Sequence, residues 1–485
     1  MILNYHANYL HQCPDTHKRF MLRIAYPYSG VIQINDNCTT NEYVSLMARH
    51  LIVRERDITP LVTDACKHAF TILRELYPPY PLSKYSYDKV ILSKPPSMRR
   101  KARDAYNYIL AHGLCRKDYK VRMFIKNERM SIRENGLKPP RAIQSRSTAF
   151  TIMLQRYIMP YAKKWHRVKP YPPILVGYDG AAIANILREA WLGYDDPVAI
   201  LLDHRNFDSG VHTVWLQEEH QYFVEHFPND PELPFLLKKQ LSNDCVTSHG
   251  VRYRMKGTRC SGDADTSSGN STINLATLCR LFRDIQRHIY NIGDDSVVIT
   301  SRQLYNHLVS IGRFGELGRD YLWETPYSVV DQFESIEFCQ CRPVELTSGW
   351  LMVRDPVRVL TRASYCIDQS INTVPMLKRW MRGVGMCEFA VNPGVPILQQ
   401  FSLWMASHTS ETPIYEPNYK PWTRTVSYTD RRITTSSRSS FERAFNISID
   451  EQLRIEHFFA HATLSGTIQY HLSLQPQSLH SVKDE

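Results

Sequence analysis

The residues best suited to chemistry in this 485-residue sequence are aspartates in two places. Asp294 and Asp295 follow Gly293 at the centre of HIYNIGDDSVVIT, residues 288–300. An apolar run, a short polar tip with a glycine and a second apolar run read as a β-hairpin. Adjacent carboxylates repel, so a tip that carries two of them suits a divalent cation. A solvated acidic turn is the plainer reading. The second set begins where VAILL, residues 198–202, ends at Asp203; Asp208 follows five residues on. A short apolar run of this kind reads as a buried strand. Its end is rigid enough to present an acid to a metal, although a lone aspartate there more commonly caps a turn.

Phosphate-binding chemistry is suggested by residues 119–144. A β-like run carries Arg122, Lys126 and Arg129; a polar loop contains Asn135-Gly136; Lys138 and Arg141 lie on a second extended run. Such a basic hairpin suits a triphosphate through charge-assisted hydrogen bonds. The segment TRCSGDADTSSGN, residues 258–270, reads as a loop of small and hydroxylic residues before an apolar helix that ends near Leu281. Ser261, Gly262, Thr266, Ser267, Ser268, Gly269 and Asn270 allow close approach to a sugar–phosphate. No GxxxxGK[ST] loop occurs, so this is not a P-loop.

The elements that must position these residues follow from periodicity and punctuation. Helices are expected over 61–76, 97–112, 147–168, 180–192, from about 211 and over 301–309. Short β-like runs occur at 20–26 and 30–34. Gly312, Gly315 and Gly318 suggest a loop, and 336–340 with 350–353 suggest paired strands. Residues 354–407 read as mostly helical with breaks at Pro375 and 392–394, 415–440 as a loop, and 450–462 as a last helix. His457 and His461 have i,i+4 spacing, but without an HExxH pattern a helix face is the better reading. If the Asp203 strand and the hairpin are neighbours in one sheet, three carboxylates converge at its edge. That donor set suits two Mg²⁺ or Mn²⁺ ions and phosphoryl transfer.

Composition sets the frame. Hydrophobic residues make up 43% and charged residues 22%, which fits a folded chain with a sizeable core. The net charge of +11 favours a polyanionic partner. Eleven cysteines without a regular framework suggest reduced thiols in a cytosolic setting. The opening MILNYHANYLHQC is too short an apolar run for a signal peptide. No apolar stretch reaches the length of about 18 residues a spanning helix needs.

Over about residues 85–362 the chain resembles a viral RNA-dependent RNA polymerase of the plus-strand, tombusvirus-like group. Lys126-Asn127-Glu128-Arg129 and Pro140-Arg141-Ala142-Ile143 resemble the basic NTP-entry motif. Asp203 and Asp208 resemble the first palm motif, and Ser261-Gly262-Asp263 with Thr266 and Gly269-Asn270 the second. Gly293-Asp294-Asp295 resembles the third, and Glu337-Phe338-Cys339-Gln340 the motif between palm and thumb.

The resemblance implies an α+β fold: a closed right hand of fingers, palm and thumb, with an antiparallel palm sheet flanked by helices. It places fingers and an N-terminal extension at 1–195, palm at 196–228 and 257–345, a fingers insertion at 229–256, and thumb and tail at 346–485. It implies RNA synthesis from NTPs with two Mg²⁺ or Mn²⁺ ions on Asp203, Asp294 and Asp295. Asp208, Asn270 and Thr266 would read the ribose; Lys126, Arg129, Lys138 and Arg141 would hold the triphosphate. Ser261, Gly262 and Gly293 would position template and nucleotide. The implied partners are single-stranded RNA template, nascent RNA and NTPs, in host cytoplasm, with recruitment to membranes through a viral or host anchoring protein. Three departures stand out. Asp265 occupies a position where the family often has Asn, and Asn206-Phe207-Asp208 stands where it often has Arg-Phe-Asp. Residues 312–324 offer only Arg313 and Arg319 in place of the lysine that serves the family as general acid. A reverse transcriptase would share the palm but carry a bulky aromatic at Asp208. A basic RNA-binding protein on an inactive scaffold is the non-enzymatic alternative.

Overall fold

The computed structural model describes residues 18–22, 32–50, 58–131, 138–363, 365–368, 370–416, 431–462 and 467–471. The expected Asn135-Gly136 turn and much of the 20–34 and 415–440 segments lie outside them. In chain order the strands are β1 (Lys18–Leu22), β2 (Ile32–Ile34), β3 (Val121–Ile125), β4 (Arg129–Ser131), β5 (Ala142–Ser145), β6 (Pro197–Asp203), β7 (Ser242–Thr247), β8 (Arg252–Lys256), β9 (His288–Ile292), β10 (Asp295–Ser301), β11 (Tyr327–Val330), β12 (Cys341–Leu346), β13 (Gly349–Arg354) and β14 (Thr467–His471).

Four of them form an antiparallel sheet in the order β11-β6-β10-β9. Both faces are covered. Ile200, Leu202, Val298 and Ile289 pack into a core with helices Pro60–Leu76, Thr148–Lys164, Thr213–Val224 and Thr266–Leu281. Ala199, Val297 and Ile299 face the opposite way, toward helix Gly180–Leu192. Burial on two faces is why VAILL is continuously apolar rather than alternating. Each fully buried Val, Ile or Leu side chain contributes about 1.5–3 kcal/mol.

A second sheet runs β5-β3-β7-β8, with β3 and β7 parallel and the other pairs antiparallel. Along β3, Val121, Met123 and Ile125 are buried while Arg122 and Phe124 are exposed, the alternation of a half-covered sheet. The basic run does not form one hairpin. β3 pairs with β5, but β4 leaves and pairs with β2. There Met130 is buried and its sulfur accepts from Asn35 Nδ2 at 3.4 Å, which draws Arg129 away from β3.

The helices at 60–76, 96–112, 148–164, 180–192, 302–310 and 449–461 match expectation within a residue or two, apart from the 147–168 helix, which ends in a 3₁₀ turn at Trp165–Arg167. Their starts are fixed by side chains: Ser147, Asp179 and Ser301 each accept the third backbone N–H of their helix. Four expectations are corrected. Residues 266–270 are the first turn of helix Thr266–Leu281, not loop. Residues 313–321 are helical, because Glu316 in the first turn pairs with Arg280 and Arg283. Helix Thr435–Phe445 occupies part of the expected loop, capped by Thr434 and anchored by buried Phe441 and Ala444. The strand facing β13 is β12, not 336–340; Cys339 and Gln340 have φ of 52° and 63°, so the chain turns tightly before the strand begins.

The C-terminal part packs helices Val374–Val391, Leu398–Ala406, Thr435–Phe445 and Ile449–His461 with β12 and β13 around Trp380, Phe401, Phe441 and Phe459. Among the described residues nine cysteines are free thiols. Among the described residues no helix is long and apolar enough to cross a membrane.

Candidate active site

The β6–β10 register places Asp203 and Asp295 opposite each other as Cα partners. Ile292 faces Asp295 across the β9–β10 hairpin, so the loop is the two residues Gly293 and Asp294. Gly293 has φ +68°, the left-handed conformation such a loop demands at its first position. Three aspartates therefore gather at one end of the sheet. Burial pushes the Asp294 carboxyl up to about 6, with the charges of Asp208 and Asp203 adding and Arg141 opposing. Burial and the neighbouring Asp294 and Asp203 push Asp295 up to about 7, while the Cys339 thiol hydrogen-bonds its carboxylate and opposes the rise.

Helix Thr266–Leu281 holds this tip from behind. Ser271 Oγ accepts from Gly293 N at 2.8 Å, and Asn274 Nδ2 donates to the carbonyls of Gly293 and Asp294 at 3.0 and 3.2 Å. Asn274 Oδ1 also meets His204 Nε2 at 3.2 Å, tying the residue after Asp203 to the same helix. One turn earlier, Asn270 Nδ2 donates to Asp208 Oδ1 at 2.7 Å. Burial raises the Asp208 carboxyl, opposed by the Asn270 bond and by Arg259 and Arg141. Thr266 turns inward: its hydroxyl donates to Cys260 O and Asp263 O at 2.7 and 3.0 Å, bracing the loop instead of facing Asp208.

The basic strands approach from the other side. Ser261 Oγ donates to Ala142 O and accepts from Gln144 N, and Gly262 N donates to Gln144 O at 2.8 Å, so the small-residue loop is stitched along β5. A Cβ on Gly262 would lie 2.7 Å from Gln144 O, which explains the glycine. Arg141 is half-exposed and its charge bears on Asp208 and Asp294. Glu128 bridges it, at 3.6 Å, to Lys126, at 3.0 Å. Lys138 is exposed, its backbone clasped by the Gln33 side chain. Arg129 is not brought to the site: it pairs with Glu416 and donates to Tyr365 O at 2.6 Å. Of the 337–340 segment, Phe338 is buried, Glu337 pairs with Arg342 at 3.1 Å, and Cys339 and Gln340 form the tight turn beside Asp295.

A model of the family described as viral RNA dependent RNA polymerase matches residues 10–467. This chain belongs to that family. The RNA-directed RNA polymerase of Carnation mottle virus is 31% identical over 376 residues, 74% of this chain and 49% of the relative. That of Tobacco necrosis virus (strain A) is 29% identical over 462 residues, 89% of this chain and 63% of the relative. That of Tomato bushy stunt virus (strain Cherry) is 30% identical over 364 residues, 70% of this chain and 43% of the relative. The chain spans about half the length of the curated relatives it matches.

Membership of this family implies dependence on a divalent metal in general, and the aspartates gathered here offer hard carboxylate oxygens, the donors such a cation takes. Among the described residues no three or more His, Cys, Asp or Glu side chains stand close enough together, as they are placed here, to hold a metal ion. That is compatible with Mg²⁺, which keeps waters and substrate phosphates among its ligands. Arg313 is buried against Asp284 and Glu316, and Arg319 pairs with Asp320, so both guanidinium groups are paired with carboxylates other than Asp203, Asp294 and Asp295. The sequence reading singled out neither Ser271 nor Asn274, the two side chains that hold the Gly293-Asp294 turn. The available signal was the string of polar residues in the 266–281 helix. Ser271, Thr272, Asn274 and Thr277 are fully buried, and buried polar groups need partners.

Proposed function

We propose that this chain is an RNA-directed RNA polymerase that copies a viral plus-strand genome. The observation that carries this is the register of Asp203 against Asp295 with Asp294 on the intervening turn and the Asp208–Asn270 pair alongside. Two divalent ions on Asp203, Asp294 and Asp295 would supply activation of the attacking 3′-hydroxyl and stabilisation of the leaving pyrophosphate. Arg141, with Lys126 and Lys138 nearby in sequence, neutralises the triphosphate. Asp208, held by Asn270, accepts a ribose 2′-hydroxyl, which a deoxynucleotide lacks. Ser261 and Gly262 fix the loop against β5, and Gly293 sets the turn on which Asp294 stands.

The same reading assigns the hand. The β11-β6-β10-β9 sheet is the palm, drawn from 196–228 and 257–345; the β5-β3-β7-β8 sheet is the fingers, with 229–256 returning to it through the parallel β3–β7 pair. Because β12 and β13 are one hairpin, the thumb is better begun after Arg354 than at 346. Arg129 and Glu416 join fingers to the C-terminal part, which favours a closed hand. RNA is favoured as partner by a cavity of about 920 Å³ on the fingers sheet lined by Arg116, Lys117, Lys120, Lys239, Arg252 and Arg254. We place its work in the host cytoplasm, with recruitment to membranes by a viral or host anchoring protein as one route.

The test is incorporation of labelled NTP on a single-stranded RNA template with Mg²⁺ or Mn²⁺, with Asp294→Ala and dNTPs in parallel. Template-dependent RNA product lost in the variant is expected. RNA-binding wild type that makes no product, primed or unprimed, would favour an inactive scaffold.

A further inference from the structure

Behind the Asp208–Asn270 pair lies a buried ionic cluster centred on Arg259. The Arg259 side chain is 2% exposed and its Nη2 pairs with Glu219 Oε2. Nη1 donates to Asp265 Oδ2 at 3.1 Å and Nε to Asn270 Oδ1 at 3.0 Å. Glu219 and Asp265 are wholly buried. Removing three charges from water costs several kcal/mol per ion before pairing, so the cluster is an expensive way merely to fill space.

Its geometry has a consequence for Asn270. A carboxamide fits a site equally well either way round by shape; its hydrogen bonds decide which end goes where. Only its oxygen can accept from Arg259 Nε–H, so its Nδ2 must face Asp208, where it donates at 2.7 Å. Reversed, the amide oxygen would face the Asp208 carboxylate, acceptor against acceptor. In the observed orientation Asp208 Oδ1 is committed to Asn270 and the second oxygen remains to accept a hydroxyl. Gly269 belongs to the same arrangement: a Cβ there would collide with Glu219 Oε1 and the Arg259 guanidinium.

We propose that Glu219 and Arg259 are positioning residues for sugar selection, holding the Asn270 carboxamide, and through it Asp208, in the orientation that accepts a ribose 2′-hydroxyl. This rests on the polymerase reading above. Arg259 is the fixed donor, Glu219 fixes Arg259, and the missing side chain at Gly269 makes room for both.

The test is the ratio of kcat/KM for each NTP to that for its dNTP, on a single-stranded RNA template. It is measured for wild type, Glu219→Gln, Arg259→Lys, Gly269→Ala and Asp208→Ala. A ratio taken within one preparation does not depend on how much of the protein is folded. Arg259→Lys and Gly269→Ala are expected to lower discrimination by about tenfold or more. Glu219→Gln should lower it less, because a neutral hydrogen bond survives. Arg259→Lys combined with Asp208→Ala should be no less selective than Asp208→Ala alone. Should Arg259→Lys be insoluble, Gly269→Ala and Glu219→Gln carry the same comparison. A lower kcat or melting temperature with an unchanged ratio in these variants would overturn the inference and leave the polymerase reading intact. Wild type that incorporates neither kind of nucleotide would overturn the polymerase reading itself.

Discussion

Asp203 and Asp295 face each other across the β6–β10 ladder, two carboxylates on directly opposed residues of adjacent strands. Like charges opposed across a ladder are destabilising, and Asp294 beside them adds to the repulsion. The expected outcome of Asp295→Asn in chelator is therefore a melting temperature equal to or above wild type. Incorporation of NTP should nonetheless fall by about 100-fold or more. Mg²⁺ titration followed by thermal melting should stabilise wild type more than the variant. An equal Mg²⁺ response in both would remove Asp295 from the metal site.

Arg141 and Arg129 sit on the same basic run but have different neighbours. Arg141 is half-exposed near Asp208 and Asp294, whereas Arg129 is enclosed by Glu416 and Tyr365. Charge-assisted hydrogen bonds of the Arg141 kind contribute about 1.5–3 kcal/mol. Arg141→Ala should thus raise KM for NTPs by about 10-fold or more with a smaller change in kcat. A change confined to RNA affinity would reassign Arg141 to the template.

The Arg129–Glu416 pair should be read out as stability. Both side chains are nearly buried, at 10% and 6% exposure, and Trp380 Nε1 donates to Glu416 at 2.9 Å. Removing one partner of a buried pair leaves an uncompensated charge and costs about 3 kcal/mol. Glu416→Ala should lower the denaturation midpoint accordingly, and Arg129→Met with Glu416→Met should recover part of the loss. Additive effects in that double-mutant cycle would show that the two residues are not coupled.

The sequence was readable where chemistry and periodicity coincide. The Asp203 strand, the 288–300 hairpin and the helix ending at Leu281 follow from apolar patterning and turn residues; that the strand and the hairpin are neighbours in one sheet was only a condition of the sequence reading, and the β6–β10 pairing meets it. What was not readable depends on contacts between segments remote in sequence. Nothing local says that Arg129 departs for Glu416, 287 residues away. Nor does anything local say that Thr266 spends its hydroxyl on the loop, or that Gly269 clears room for an ion pair contributed by Glu219. Local patterning also failed where φ decides the path, as at Cys339-Gln340.

Lys164 offers a prediction in which the sign of a pH dependence is decisive. Its side chain is buried, 4% exposed, with Nζ 2.9 Å from Tyr222 Oη and 2.5 Å from His226 Nε2, and burial pushes its pKa down to about 7. The group is then neutral in the folded chain at pH values where the unfolded chain still protonates it. Stability contributed at this site is full above the ordinary lysine value and is lost as pH falls toward 7. Between pH 7.5 and 9.5, wild type should gain about 2 kcal/mol relative to Lys164→Met, measured by urea denaturation. The faces of Tyr161, Trp165 and Tyr222 lie 4.3–5.1 Å from Nζ and favour the charged form. If those rings keep the ammonium charged, the gap between the two proteins will not change with pH, and the buried-neutral assignment fails.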